Sequence, residues 1–319
     1  MFSVNTITGA DFEKIILKDT DSHTVAEIIP SCGAILHAFT VLHNGKPLNI
    51  IDGYENRSDF DKNVTGKGFK SCKLSPFACR INNAAYQFEG HEYTIEKFLL
   101  NGSALHGLIY DAEFTVTKTW AHAESAGVTL LYQYTATDKG YPFSYNCEVQ
   151  YELKKDNALT LTTIITNTSA VNIPMQDGWH PYFGFGGRVD DLQLSFNSSS
   201  MVVFNETLIP TGELEAYNEF EQLQTIGNTS FDNCFLLNPG LNEPACVLKD
   251  DGQKIQLEIY PYASYPYLQL YTPLHRNSIA IENLSAVPDA FNNTTGLLIL
   301  QPTSTAHFTT TYKITSLVQ

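Results

Sequence analysis

Two side chains in this sequence pair an ionisable group with a confined strand context: a carboxylate, Glu282, and an imidazole, His180. Glu282 lies in IAIENLSAVPDAFN, residues 279–292. Side chains alternate across a strand, so Ile279 and Ile281 take one face while Ala280 and Glu282 take the other. Pro288 has no N–H to donate and biases Val287 toward extended backbone, so the ladder must end before it. That places Glu282 where a strand opens into a loop, either as an exposed strand-end carboxylate, as most glutamates are, or as a base held in a pocket. His180 lies in QDGWHPYFGFGG, residues 176–187, where Pro181 restricts it to extended geometry among Trp179, Tyr182, Phe183 and Phe185. It reads as a core histidine satisfied by hydrogen bonds or as a general acid tuned near neutrality. The chemistry available to such a pair is proton transfer.

Three further residues have the character of ligand-binding groups. Arg80, in SPFACRINNAAYQFEG, is one of only four arginines and sits inside an apolar, strand-like run. A guanidinium placed there needs carboxylate or hydroxyl acceptors, supplied by a structural ion pair or by a ligand. His106 stands before Gly107 in NGSALHGLIYDAEF, and Asp232 precedes an apolar run in SFDNCFLL, the position of many ordinary turn residues. Upstream of Arg80, GKGFKSCKLSPFACR carries Lys67, Lys70 and Lys73, either a solvated loop or a cluster for an anionic phosphate.

The elements that must position these groups are strands. In VTLLYQYTAT, Val128, Leu130, Tyr132 and Tyr134 share one face. ALTLTTIITN, DLQLSFN, KIQLEIYP and HFTTTYKIT are likewise short, rich in β-branched and aromatic residues, and bounded by Asn, Asp, Gly or Pro. Helical spacing is confined to short candidates, ADFEKII (10–16) and GELEAYNEF (212–220). No linker, repeat or charge block divides the 319 residues, so the expectation is all-β: one large antiparallel β-sandwich domain over 1–319, with more strands than an immunoglobulin-type module. A formal charge of −15 argues against a nucleic-acid or lipid-headgroup surface and for a small neutral ligand. The six cysteines, Cys32, Cys72, Cys79, Cys147, Cys234 and Cys246, lack metal-type spacing and read as free thiols in a reducing compartment. With acidic residues preceding any apolar run of signal length, the expected location is the cytoplasm.

Taken together, these pieces resemble the aldose 1-epimerase, or mutarotase, family. FACRI resembles its Phe-x-Asn-Arg-Ile segment, LHG its Leu-His-Gly, and HPYF its His-x-Tyr-Phe/Trp. FDNCF resembles its Asp-containing segment, and IENLSAVPDAFNN its glutamate followed by Pro-Asp-x-x-Asn. Five such patterns in the family's order are specific together. The resemblance implies a large β-sandwich with an open cleft for a hexopyranose, Glu282 as general base, His180 as general acid, and Arg80, His106 and Asp232 holding sugar hydroxyls. It also implies an aldohexose partner with no cofactor and no catalytic metal, on a monomer or homodimer. Two departures stand out: Cys79 where the family usually has Asn before the arginine, and Trp179 where many members have Asn before the histidine. The WHPYF form marks a divergent branch and leaves the natural sugar open. Relatives acting on hexose 6-phosphates make a phosphorylated substrate one alternative. A non-catalytic sugar binder and a glycosidase using Asp232 with Glu282 are others.

Overall fold

Alternating burial governs how this chain folds, and the computed structural model, which describes residues 1–9, 11–238 and 243–317, is built almost entirely of strands. Among these residues helix is confined to Arg57–Asn63, Ala290–Asn293 and two single 3-10 turns. Every pairing between strands is antiparallel.

The longest strands, Ser125–Tyr134, Tyr145–Lys154, Ala158–Asn167 and Thr305–Ser316, lie side by side in a nine-stranded sheet. Tyr145–Lys154 alternates buried and half-buried positions along its length, the mark of a strand with one face on the core. An eight-stranded sheet runs in the order Pro210–Ala216, Ser198–Phe204, Asp232–Leu237, Tyr267–Tyr271, Ile279–Leu284, Gly178–Trp179 and Lys73–Leu74, with Tyr182–Phe183 also on the Ile279–Leu284 strand. A five-stranded sheet from the first 49 residues completes the main framework.

One apolar core joins the sheets, drawing on Leu17 and Phe39, on Val128, Tyr151 and Leu161, and on Leu268, Ile279 and Ile281. The two large sheets meet through Trp179, edge-on to Tyr151, and Phe183, edge-on to Tyr312 at 5.3 Å between ring centres. Polar pins cross the same interface: Trp179 Nε1 donates to Thr163 Oγ1 at 3.3 Å, and Thr310 Oγ1 donates to Asn283 Oδ1 at 2.7 Å. Strand alternation then turns Ala280, Glu282 and Leu284 to the opposite face.

Both helical candidates from the sequence are strands. The first becomes Glu13–Asp19, where Ile15, Leu17 and Asp19 are buried in alternation, so the two-residue period prevails over the helical one (Ala10 lies outside the described residues). The second becomes the exposed strand Pro210–Ala216 at the end of the eight-stranded sheet, followed by loop. With almost no side chain buried there, periodicity carries no information and edge pairing decides.

Candidate active site

Strand register brings the acid–base candidates together. Gly178 and Trp179 pair with Leu284 and Asn283, and Tyr182 and Phe183 pair with Ala280 and Ile279. The two short segments are therefore one ladder in a single register, interrupted where Pro181 lacks an N–H, and this register sets His180 opposite Glu282. His180 Nε2 lies 3.2 Å from Glu282 Oε1. Glu282 is not at a strand end: its strand continues to Leu284, all six residues are buried, and Glu282 itself is 2% exposed. The exposed-carboxylate reading is thereby excluded. The ladder ends at Ser285 rather than just after Glu282.

On its other side Glu282 faces Gln269 of the Tyr267–Tyr271 strand, and Gln269 faces Cys234 of the Asp232–Leu237 strand. Asp232, two residues before Cys234, shares its face, and Gln269 Nε2 donates to Asp232 Oδ1 at 3.1 Å. Arg80 and His106 arrive from a three-stranded sheet in which Leu105 pairs with Arg80, and the His106 N–H donates to the Cys79 carbonyl at 2.9 Å. The His106 ring stands edge-on to His180 at 4.9 Å between centres and edge-on to Phe69 at 4.7 Å. Gly107, at φ +81, passes so close to Ser75 that a Cβ would sit 2.3 Å from its carbonyl oxygen, which accounts for the glycine after this histidine.

The Pro-Asp-x-x-Asn segment locks the two halves of this site. The Asp289 N–H donates to the Arg80 carbonyl, and Asp289 Oδ1 accepts from the Asn82 N–H at 2.9 Å. Asn292 Nδ2 donates both to the Ala85 carbonyl and to Asp289 Oδ1. The loop after the Glu282 strand is thus tied to the chain that carries Arg80.

All five predicted residues line one cleft of about 700 Å³, together with Cys79, Gln269, Tyr182, Tyr271 and the Thr65–Lys70 loop. Four of its buried polar atoms have no partner within the protein: His106 Nδ1, His180 Nδ1, Gln269 Oε1 and Glu282 Oε2. Unpaired buried polar atoms are rare, and where they line an open cleft water or a ligand can complete their bonding. Among the described residues Arg80 makes no ion pair within 4 Å, so its fork of donors also remains available. The structural-ion-pair reading of Arg80 fails on that geometry.

Burial dominates the electrostatics. It pushes Glu282 well above the ordinary carboxylate range, with Asp232 nearby adding to the rise. It pushes His180 down to about 3, and it holds His106 well below its usual value, with His180 and Arg80 nearby adding to the fall. Asp232, exposed to solvent but flanked by the cleft walls, is raised by partial desolvation against the pull of Arg80. Desolvation therefore outweighs the mutual attraction expected of an ionised Glu282–His180 pair, and without a ligand's hydrogen bonds the uncharged forms are favoured.

The three lysines do not form one solvated face: Lys67 alone is exposed. Lys67 Nζ bonds Asp59 at 2.6 Å, Lys70 Nζ bonds Asp52 at 2.6 Å, and Lys73 is fully buried against Asp177 at 2.6 Å. Trp179, the departure beside His180, covers the Lys73 ammonium at 4.6 Å from its ring centre. Sequence reasoning missed Gln269, although a lone amide between the leucines of YLQLY was the available signal.

This architecture is that of the galactose mutarotase-like proteins. It superposes on a galactose mutarotase-like protein from Clostridium acetobutylicum with a TM-score of 0.87 at 17% identity, over 99% of both chains. It also superposes on galactose 1-epimerase from Lactobacillus acidophilus with a TM-score of 0.82 at 19% identity, again over 99% of each. The chain belongs to the aldose 1-epimerase family, whose sequence pattern matches residues 15–313. Its relatives include the maltose epimerase of Levilactobacillus brevis, 23% identical over 81% of this chain and 79% of that protein. The aldose 1-epimerase of Escherichia coli is 25% identical over 64% of this chain and 63% of that one. No helix among the described residues is long and apolar enough to cross a membrane.

Proposed function

We propose that the protein interconverts the α and β anomers of a free aldose by acid–base ring opening and closure, with Glu282 as base and His180 as acid. The observation that carries this reading is the cross-strand contact of the two side chains, 3.2 Å apart in the wall of the cleft. Glu282 removes the proton of the C1 hydroxyl as His180 gives one to the ring oxygen. The C1–O5 bond breaks, the aldehyde rotates about C1–C2, and the reverse transfers close the ring on the other face. The step needs one proton held between the two groups. Sugar hydroxyls donating to Glu282 favour its carboxylate form and so move that proton to His180. Arg80, His106, Asp232 and Gln269 supply donors and acceptors for the remaining hydroxyls, and Tyr182 stacks parallel on His180 with ring centres 5.1 Å apart.

A free sugar is favoured over a phosphorylated one because Lys67 and Lys70, the cleft's lysines, are each neutralised by a carboxylate. A phosphate prefers several uncompensated cations, and among the described residues that line the cleft Arg80 is the one lysine or arginine without an ion pair. The cleft volume suits a reducing disaccharide as well as a hexose, so maltose belongs in the assay. Polarimetry on freshly dissolved glucose, galactose, maltose and glucose 6-phosphate tests the reading. Accelerated anomerisation of one of the free sugars is expected, with lower kcat/KM for the phosphate. A preference for the phosphate would transfer the assignment to a hexose-phosphate epimerase, and binding without acceleration would make the protein a sugar binder.

Arg80→Lys separates charge from geometry in the same assay. Lysine keeps the positive charge but loses the bidentate fork, and the expected outcome is a KM raised about 10-fold with a smaller change in kcat. A kcat loss with unchanged KM would mean that Arg80 acts on the transition state instead.

A further inference from the structure

We propose that Cys79, His106 and Glu282 form a binding site for a thiophilic divalent cation of the Zn²⁺ and Cd²⁺ class, and that its occupancy blocks the sugar cleft. One donor atom from each of these buried residues lies within 4.8 Å of the others. Two of the three carry an atom with no partner in the protein, Glu282 Oε2 and His106 Nδ1, and both residues line the cleft. Glu282 spends its other oxygen on His180, which leaves Oε2 free to coordinate.

The donor set is chemically selective. A thiolate, an imidazole and a carboxylate suit zinc or cadmium far better than magnesium or calcium, which seek oxygen ligands. Bonds of about 2.0–2.3 Å to zinc require donor atoms roughly 3.3–3.6 Å apart, so each side chain closes by less than about 1 Å. The fourth position of a tetrahedral ion then opens into the cleft. Position 79 creates the site. Its residue is a cysteine in the left-handed region, φ 52°, where the family's pattern has an asparagine, whose amide is no ligand for a soft metal. Binding breaks the Sγ–H bond of Cys79 and displaces the proton that buried Glu282 retains, releases both to solvent, and forms the Sγ–metal and carboxylate–metal bonds with no redox change.

The occupied site withdraws Glu282 from proton transfer and sets a cation where the sugar sits. That consequence rests on the anomerase reading, whereas metal binding itself does not. Cd²⁺ titrated into the purified protein is therefore followed first by the ultraviolet absorption of the cadmium–thiolate bond, a readout independent of turnover. The expected result is one Cd²⁺ per chain, with affinity lowered on the order of 10²-fold in Cys79→Ser and in Cys79→Asn, which restores the family's residue. His106→Gln should weaken binding at least about 10-fold. A wild-type protein that gives no thiolate band overturns the site. So does a band that survives in whichever Cys79 variant folds, since it would belong to another thiol such as Cys234. If Cd²⁺ binds with this pattern but saturating hexose leaves its affinity unchanged, the claim that the metal blocks the sugar cleft is lost while the metal site stands.

Discussion

Glu282→Gln should bind hexose within a few-fold of the wild-type affinity and turn it over on the order of 10²-fold or more slowly, the usual scale for losing a general base. The amide keeps the shape and reach of the side chain, so contacts to the sugar and to His180 persist, but it cannot take up the C1 hydroxyl proton. Stability supplies a second readout with a defined sign. Burial raises the Glu282 pKa in the folded chain above the 4.5 of an unperturbed group, so the folded protein retains a proton that the unfolded chain releases. The associated stability is fully present below pH 4.5 and is lost as pH rises through the folded value. Glutamine mimics the protonated acid and has no such slope. The variant should therefore unfold at a higher denaturant concentration than wild type at pH 8, with the difference shrinking toward pH 4. Near-wild-type anomerisation by Glu282→Gln would remove this carboxylate from the mechanism, whatever its effect on stability.

The route from sequence to this site was short where residues carried their own constraint and blocked where partners came from elsewhere. Period-two alternation identified the strands, and Pro181 falls where the two short strands Gly178–Trp179 and Tyr182–Phe183 are interrupted. The motif order also pointed to one cleft, and the side chains of Arg80, His106, His180, Asp232 and Glu282 do converge there. What single-strand reasoning lacked was register. That Glu282 sits mid-strand facing His180 follows from pairings between residues about 100 positions apart, which no local pattern encodes. The two helical candidates failed for a related reason, since pairing across the sheet outweighed a short run of helix-compatible spacing. The lysines show the same limit in charge. Spacing alone grouped Lys67, Lys70 and Lys73, while the carboxylates that neutralise them come from positions 59, 52 and 177.

Lys73 is where that limit has the largest energetic consequence. Its ammonium is fully buried, bonded to Asp177 Oδ2 at 2.6 Å and to the Gly178 carbonyl at 2.9 Å, while Tyr265 donates to the same Asp177 oxygen at 2.7 Å. Lys73→Met removes the cation and leaves Asp177 buried with one oxygen already unpartnered. Breaking such a pair from one side costs about 3–5 kcal/mol, because the remaining buried charge has lost its counter-ion and keeps only the Tyr265 hydroxyl. Burial already raises Asp177 against the pull of Lys73, so losing the lysine raises it further and the carboxyl takes up a proton. A folded pKa above the unperturbed 3.8 means stability lost as pH rises, so the deficit of Lys73→Met should be larger at pH 8 than at pH 5. Adding Asp177→Leu removes the stranded acid as well, and the double variant should recover much of the loss, as apolar replacements of buried ion pairs commonly do. Turnover of the folded Lys73→Met protein should stay within a few-fold, since among the described residues Lys73 reaches the site through Trp179, the Gly178 carbonyl and the backbone of its own strand. A loss below about 1 kcal/mol in chemical denaturation, the range of exposed pairs, would show that water reaches this lysine and that the pair does not anchor the strand leading into His180.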